Sequence, residues 1–247
     1  MTSFPGDTLT LPADRLADAN VAPLASLIAD PVRAAMLWAV SDGRTLPAGE
    51  LCRIARSTPS AGSAHLAKLV TGGLLAVERH GRHRYFKLAT PGVVSALEAL
   101  AAIAEPMPAA SLKEAYAASA IRLARTCYDH LAGTLGVGLA SALVEQGALV
   151  PGAREYIVTD IGVARFAKLG IDVAHVAETA RCTRRPIARA CLDWSERRHH
   201  LAGALGAALA TRLLELQWVE RVPASRALKI TNEGRRVLRR EFSIQLL

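Results

Sequence analysis

Two stretches of this 247-residue chain concentrate the side chains that carry chemistry. The first holds Cys127, Asp129 and His130. The second holds Cys182, Cys191, Asp193, Trp194, Glu196, His199 and His200. Thiolate, imidazole and carboxylate together are a donor set for zinc and related transition metals. Read as a helix, the first stretch puts Cys127 and His130 on one face at i, i+3. The spacing is not that of a standard zinc-binding motif, so other chemistries stay beside the metal. Cys182 and Cys191 lie among Arg181, Arg184, Arg185 and Arg189, and neighbouring cations make a thiol more acidic and more reactive. Trp194 with Arg or His offers a site for an acidic organic ligand, and a purely structural role is the remaining option. A Cys–His–Asp nucleophilic centre is the enzymatic option. No GxSxG, P-loop, HExxH or strand-borne GxGxxG accompanies it, and the chain is read as not an enzyme. No cofactor is required. The effector, metal or small molecule, stays open.

The elements that must position these residues are repeated. HLAGTLG at 130–136 returns as HLAGALG at 200–206, each preceded by Cys-x-Asp. Each copy leads into a helix, a short hairpin (around PGARE and VPASRA), Thr-x-x-Gly and a closing helix. A fainter third copy runs from HLAKLVTGG to the TPG at 90–92. Thr90, Thr159 and Thr231 each stand where a strand hands over to a helix, a good N-cap position. Gly133, Gly136, Gly203 and Gly206 recur at helical spacing. Glycine inside a helix costs about 1 kcal/mol against alanine, so these glycines are expected where another helix or a ligand approaches closely.

Charge places the partner. The net charge is +8. Residues 23–90 hold nine Lys/Arg against four Asp/Glu, 105–177 six against seven, and 178–245 fourteen against seven. Two basic blocks around a neutral one suit a polyanion. The first block reads as helix (46–56), break at Ser57-Thr58-Pro59, second helix, Gly72-Gly73 stop, then two strands around Gly81. On the second helix Ser60, Ser63, Ala64, His65 and Lys68 point outward, after the Thr58 cap, and are small enough to enter a major groove. The hairpin tip RHGRHR presents Arg79, His80, Arg82, His83 and Arg84 for phosphate or minor-groove contact.

These phrases, LIADPVRAAML, GELCRIA and STPSAGSAHLAKLVTGGLLAVERHGRHRYFKL, resemble the ArsR-type (arsenic-repressor-like) winged-helix regulators over residues 20–104, about a third of the chain. The resemblance implies a recognition helix at 59–71 and a wing at 75–88. It also implies a homodimer paired through the helices near 20–41 and 91–104, and a repressor released by a signal. Metal-sensing members carry Cys-x-Cys on the helix that matches GELCRIA, in a phrase like ELCVCDL. Here Cys52 is followed by Arg53 and Ile54, and PGVVSALEALAAIAEP has no histidine. The sensing site is therefore expected in the extra residues, and Cys52 is expected to be a small buried residue.

The expected fold is mainly α with short β-hairpin wings, an N-terminal winged helix-turn-helix followed by two winged-helix-like units. The expected organisation is a tail (1–19), a DNA-binding and dimerisation domain (20–104), and repeat units at 105–176 and 177–247. The expected partners are double-stranded DNA bearing an inverted-repeat operator and a second copy of the chain. The expected DNA contacts are Thr58, Ser60, Ser63, Ala64, His65, Lys68, Arg79, His80, Arg82, His83 and Arg84. The expected effector residues are Cys127, Asp129, His130, Cys182, Cys191, Asp193, Trp194, His199 and His200. No membrane role is expected: no apolar run approaches the roughly 20 residues of a spanning helix, and the acidic start lacks a signal-peptide order. The expected location is the cytoplasm. A protein-interaction adaptor that binds no operator is the alternative.

Overall fold

The computed structural model describes residues 19–81, 83–105, 108–109 and 111–246. Most of the tail, Arg82 at the wing tip and part of the 105–111 linker lie outside the described residues. No helix among them is long and apolar enough to cross a membrane.

The N-terminal part is a winged helix. Helix α1 (Ala22–Ile28) and α2 (Pro31–Ala39) are separated at Asp30, whose carboxylate accepts from Arg33 N at 2.9 Å and caps α2. The run expected as one helix over 46–56 divides. Leu46–Pro47 is a short strand, β1, and α3 is Ala48–Ile54. The strand forms because Leu46 pairs with Phe86 at the edge of the wing sheet. Helix α4 (Pro59–Thr71) starts as its sequence dictates: Thr58 Oγ1 accepts from Ala61 N at 3.3 Å, with Pro59 in the first turn. Strands β2 (Leu75–His80) and β3 (His83–Leu88) complete an antiparallel sheet of order β1-β3-β2. Helix α5 (Pro91–Ile103) follows. Cys52 is buried under α4, where a side chain on Gly62 would collide with its sulfur.

The remainder is one unit built twice. The first copy runs α6 (Leu112–Leu123), β4 (Arg125–Cys127), β5 (His130–Ala132), α7 (Gly133–Glu145), β6 (Leu149–Pro151), β7 (Tyr156–Val158) and α8 (Asp160–Lys168). The second runs α9 (Val173–Cys182), β8 (Arg189–Leu192), β9 (His199–Ala202), α10 (Gly203–Glu215), β10 (Val219–Arg221), β11 (Leu228–Ile230) and α11 (Asn232–Phe242). A boundary at 176/177 thus falls inside α9, the counterpart of α6. The closing helices are capped where the threonines stand: Thr159 Oγ1 accepts from Gly162 N and Thr231 Oγ1 from Gly234 N. Thr90 holds the same place before α5 but its side chain makes no cap bond.

The two units exchange contacts. Helix α7 packs on β9 and α10 packs on β5, so each unit's helix covers the other unit's hairpin. Leu135, Leu139 and Leu143 of α7 and Leu205, Leu209 and Leu213 of α10 meet in one buried core. Burying side chains of this size contributes roughly 1.5–3 kcal/mol each. Both hairpins also reach the other way. Cys127, Ala132, Cys191 and Ala202 join the core formed by Met36, Leu51, Leu69 and Phe86 of the winged helix.

The glycines of the repeat serve backbone, not a helix–helix seam. Gly133 and Gly203 have φ of +74° and +79°, the left-handed conformation that turns a strand into a helix. A Cβ on Gly203 would lie 2.6 Å from Pro186 O and 2.8 Å from Ile187 O. Gly136 and Gly206 lie against their own hairpins: a Cβ on either would fall 2.5 Å from Leu131 O or Leu201 O, and 3.6 Å or 3.3 Å from the Cβ of His200 or His130 of the opposite unit. Gly203→Leu therefore combines left-handed strain with overpacking and should destabilise by about 2–5 kcal/mol. Gly138→Ala, which meets only the Ile244 side chain at 3.4 Å, should change urea stability by under about 1 kcal/mol. Equal midpoints for the two variants would contradict this account of the glycines.

Candidate nucleic-acid interface and buried Cys/His cluster

On α4 the exposed residues are Pro59, Ser60, Ala61, Ser63, Ala64, Ala67, Lys68 and Thr71, a face with one cation. Ser63 Oγ is turned back to Pro59 O at 2.9 Å. His65 departs from the expected outward set. Its ring is half-buried, with Nδ1 3.7 Å from Asp30 Oδ1, because position 65 faces the α1–α2 junction. Thr58 is exposed and occupied in capping. The alanines at 61 and 67 were not in the expected set; their spacing of three residues on either side of Ala64 is the signal that they share its face.

The wing is cationic on both strands. Arg79 pairs directly with Arg84, and His80 with His83; all four are exposed. Like charges opposite one another in an antiparallel pair repel. A phosphate between them removes that repulsion. Lower on the same hairpin Glu78 forms a hydrogen-bonded ion pair with Lys87 and stands 3.9 Å from His80 Nε2, which leaves Arg79 and Arg84 without an acidic partner among the described residues.

The second site lies where the two repeat hairpins face each other. Cys127 and His130 are not on a helix. They are the closing cross-strand pair of β4–β5, joined through Tyr128 and Asp129, with Tyr128 at φ +59°. Cys191 and His200 are the matching pair of β8–β9. Cross-strand partners share a face, so each hairpin presents one sulfur and one imidazole to the other. The four donor atoms lie within 4.8 Å of one another and all four residues are buried. His130 Nε2 and His200 Nε2 are 3.1 Å apart. His199, one residue from His200, pairs with Leu192 and is exposed, because alternation sends it to the opposite face.

Carboxylates back both imidazoles. Asp129 Oδ1 lies 3.3 Å from His130 Nδ1 and is held by Arg185 Nη2 at 2.8 Å. Asp193 Oδ2 lies 3.3 Å from His200 Nδ1, out of line for a good hydrogen bond. Asp193 also accepts from Gly133 N (2.6 Å) at the start of α7, and from Ser195 N and Glu196 N in its own turn. Burial works against a charge on Asp193, but His200, Arg125, Ser195 and Gly133 outweigh it and hold the carboxyl well below the ordinary range. Burial likewise opposes a charge on Asp129, and His130 and Arg185 override it. Hydrogen bonding from Cys127, against burial and helped by both imidazoles, draws the Cys191 thiol well below its ordinary range. Cys127, which donates that bond and is buried, is pushed well up.

Sequence reasoning missed what lies behind Asp193. Arg125, fully buried, contacts Asp193 Oδ2 at 3.0 Å and Glu98 Oε2 at 3.4 Å. Glu98 belongs to α5 and also meets Arg226 at 3.3 Å. An arginine directly before Thr-Cys was the available signal. Trp194 is spent on this network: its ring stacks under the Arg125 guanidinium at 4.8 Å. It is not among the residues that line the cleft beside the cluster. Cys182 is exposed at the end of α9 and is not brought to the other cysteines. A cleft of about 380 Å³ does open beside the cluster, lined by Pro91, Tyr128, Asp129, His130, Arg185 and Gly203 among others.

Comparison with known proteins agrees with the fold. A helix-turn-helix domain family matches residues 28–78. The HTH-type transcriptional regulator YdfF of Bacillus subtilis (strain 168) is 45% identical over 227 residues, 92% of this chain and 99% of that protein. Among solved structures, NolR from Sinorhizobium fredii is 26% identical over 38% of this chain and 93% of its own, with a TM-score of 0.34. HlyU from Vibrio cholerae is 26% identical over 32% and 86%, with a TM-score of 0.30. The likeness to YdfF spans both the winged helix and the doubled unit, and this chain belongs to the HTH-type transcriptional regulators, its DNA-binding part being the winged helix that the ArsR-type resemblance implied.

Proposed function

We propose that the chain acts in the cytoplasm as a homodimeric, sequence-specific repressor of an inverted-repeat operator, and that its doubled unit reads the signal for release. The observation that carries the reading is the buried chain of charges from His200 through Asp193 and Arg125 to Glu98 on α5. It ties the Cys/His cluster to a helix of the DNA-binding part. Exposed apolar residues on α1 and α5 (Leu24, Leu100, Ile103) and Val21 before α1 support pairing with a second copy. The outer face of α4, with Ser60, Ser63, Ala64 and Lys68, supports groove entry. Arg79, His80, His83 and Arg84 support phosphate contact, with Arg82 between them in sequence.

A signal shifts an equilibrium only by its differential affinity for two states. Here a displacement of the hairpins displaces Asp193 and Arg125, and the Glu98 contact passes it to α5. That would change the spacing of the two wings. The test is selection of bound duplexes from a random pool with the full chain, followed by operator titration of Glu98→Gln. The selected sequences should contain two half-sites about 34–36 Å apart centre to centre. Glu98→Gln, far from DNA, should shift operator affinity by about fivefold or more. Selected sites without a repeat, or a Glu98→Gln chain with unchanged affinity, would overturn dimeric reading or coupling respectively.

A further inference from the structure

We infer that Cys127, His130, Cys191 and His200 form a closed, four-coordinate site for one zinc-class ion, placed between the two repeat units. The donors come from four strands, and each unit supplies one thiol and one imidazole. A tetrahedral zinc with bonds of ~2.0–2.1 Å sets its two nitrogens about 3.3 Å apart. His130 Nε2 and His200 Nε2 stand 3.1 Å apart. All donor atoms fit within 4.8 Å, so an ion reaches all four by small rotations of side chains.

The surroundings fit the same ion. His130 turns Nδ1 to Asp129 in a hydrogen bond and His200 Nδ1 stands 3.3 Å from Asp193 Oδ2, and both rings face the centre with Nε2. This carboxylate–histidine arrangement is the usual outer shell of a metal-ligating imidazole. Two thiolates neutralise a divalent charge inside a buried site, where an uncompensated ion would be costly. Two sulfurs and two imidazole nitrogens favour zinc over magnesium or calcium, which take oxygen. With every corner taken by protein and the donors all buried, the site is of the closed kind, which holds structure together. The ion would clasp the hairpins that each unit lends to the other. The inference is independent of operator binding, because its measurement involves no DNA.

The experiment uses the full, untagged chain purified in reductant. Bound metal is quantified by mass spectrometry, and the ion is then exchanged for cobalt. The expected result is about one equivalent of zinc per chain. The cobalt form should show the intense visible bands of a tetrahedral site and a thiolate-to-cobalt charge-transfer band. Cys127→Ser or Cys191→Ser should weaken that band, and Cys182→Ser should leave it intact. Asp129→Asn should weaken zinc binding about tenfold or more. Should the ligand variants fail to fold, alkylation of the native chain decides. Cys127 and Cys191 should resist alkylation until zinc is chelated, while Cys182 reacts at once. Any of three results would overturn the site: a folded, reduced chain that takes up no zinc; a Cys127–Cys191 disulfide in its place; or a six-coordinate cobalt spectrum without a sulfur band.

Discussion

Arg125→Met is expected to cost the folded chain about 3–5 kcal/mol, read as a fall in the urea midpoint at constant slope. Arg125 is fully buried between two buried carboxylates, Glu98 and Asp193. Removing only the cation leaves both without their shared partner. Arg226 still reaches Glu98 at 3.3 Å, but Asp193 keeps only backbone and hydroxyl donors beside His200. The penalty is that of an uncompensated buried charge, larger than that of a lost surface ion pair. The double variant Arg125→Met/Glu98→Gln should recover part of the loss, because one stranded carboxylate is then neutral. A single variant within about 1 kcal/mol of the parent would show that the network adds little to stability.

Replacing Arg79 and Arg84 together by alanine should weaken binding to every duplex by about 100-fold near physiological salt. The pair faces across the wing, and among the described residues neither arginine has an acidic partner. If each arginine neutralises one phosphate, a dimer loses four contacts, and the slope of log affinity against log salt should shrink by about 3–4. Sequence preference should survive, because phosphate contacts position and base contacts specify. Lys68→Ala or Ser60→Ala on α4 should instead alter preference between sites. Fluorescence anisotropy at several salt concentrations separates the outcomes. A double variant with the parental slope would place the wing away from DNA.

The winged helix was legible because its signals are local. Thr58-Pro59 starts α4, Gly72-Gly73 stops it, and RHGRHR makes a tip; each needs only near neighbours in sequence. The repeat was legible from HLAGxLG, and its threonines cap α8 and α11 as read. The cluster was half legible. Aligning the repeats sets Cys127 on Cys191 and His130 on His200, but periodicity alone assigned them to a helix. HLA is too short an apolar run to tell strand from helix, and the two-residue turn at Tyr128-Asp129 lacks the glycine that announces a hairpin. Nothing local says that two equivalent hairpins meet face to face. His65 was misplaced for a related reason: helical spacing gives its face but not that α1 and α2 lie over it. The Glu98–Arg125–Asp193 chain joins residues up to 95 positions apart and leaves no periodic trace.

The winged helix borrows part of its interior from Cys127, Ala132, Cys191 and Ala202. During synthesis, which proceeds at about 5–20 residues per second, that interior stays incomplete until residue 202 has emerged. A product cut short by a nonsense codon between residues 104 and 200 would then lack one or more of these side chains. Such a fragment would be a poor competitor for the operator and a poor partner for intact chains. Early-stop alleles should accordingly behave as recessive losses, while dominant interference should come from full-length chains altered at the wing.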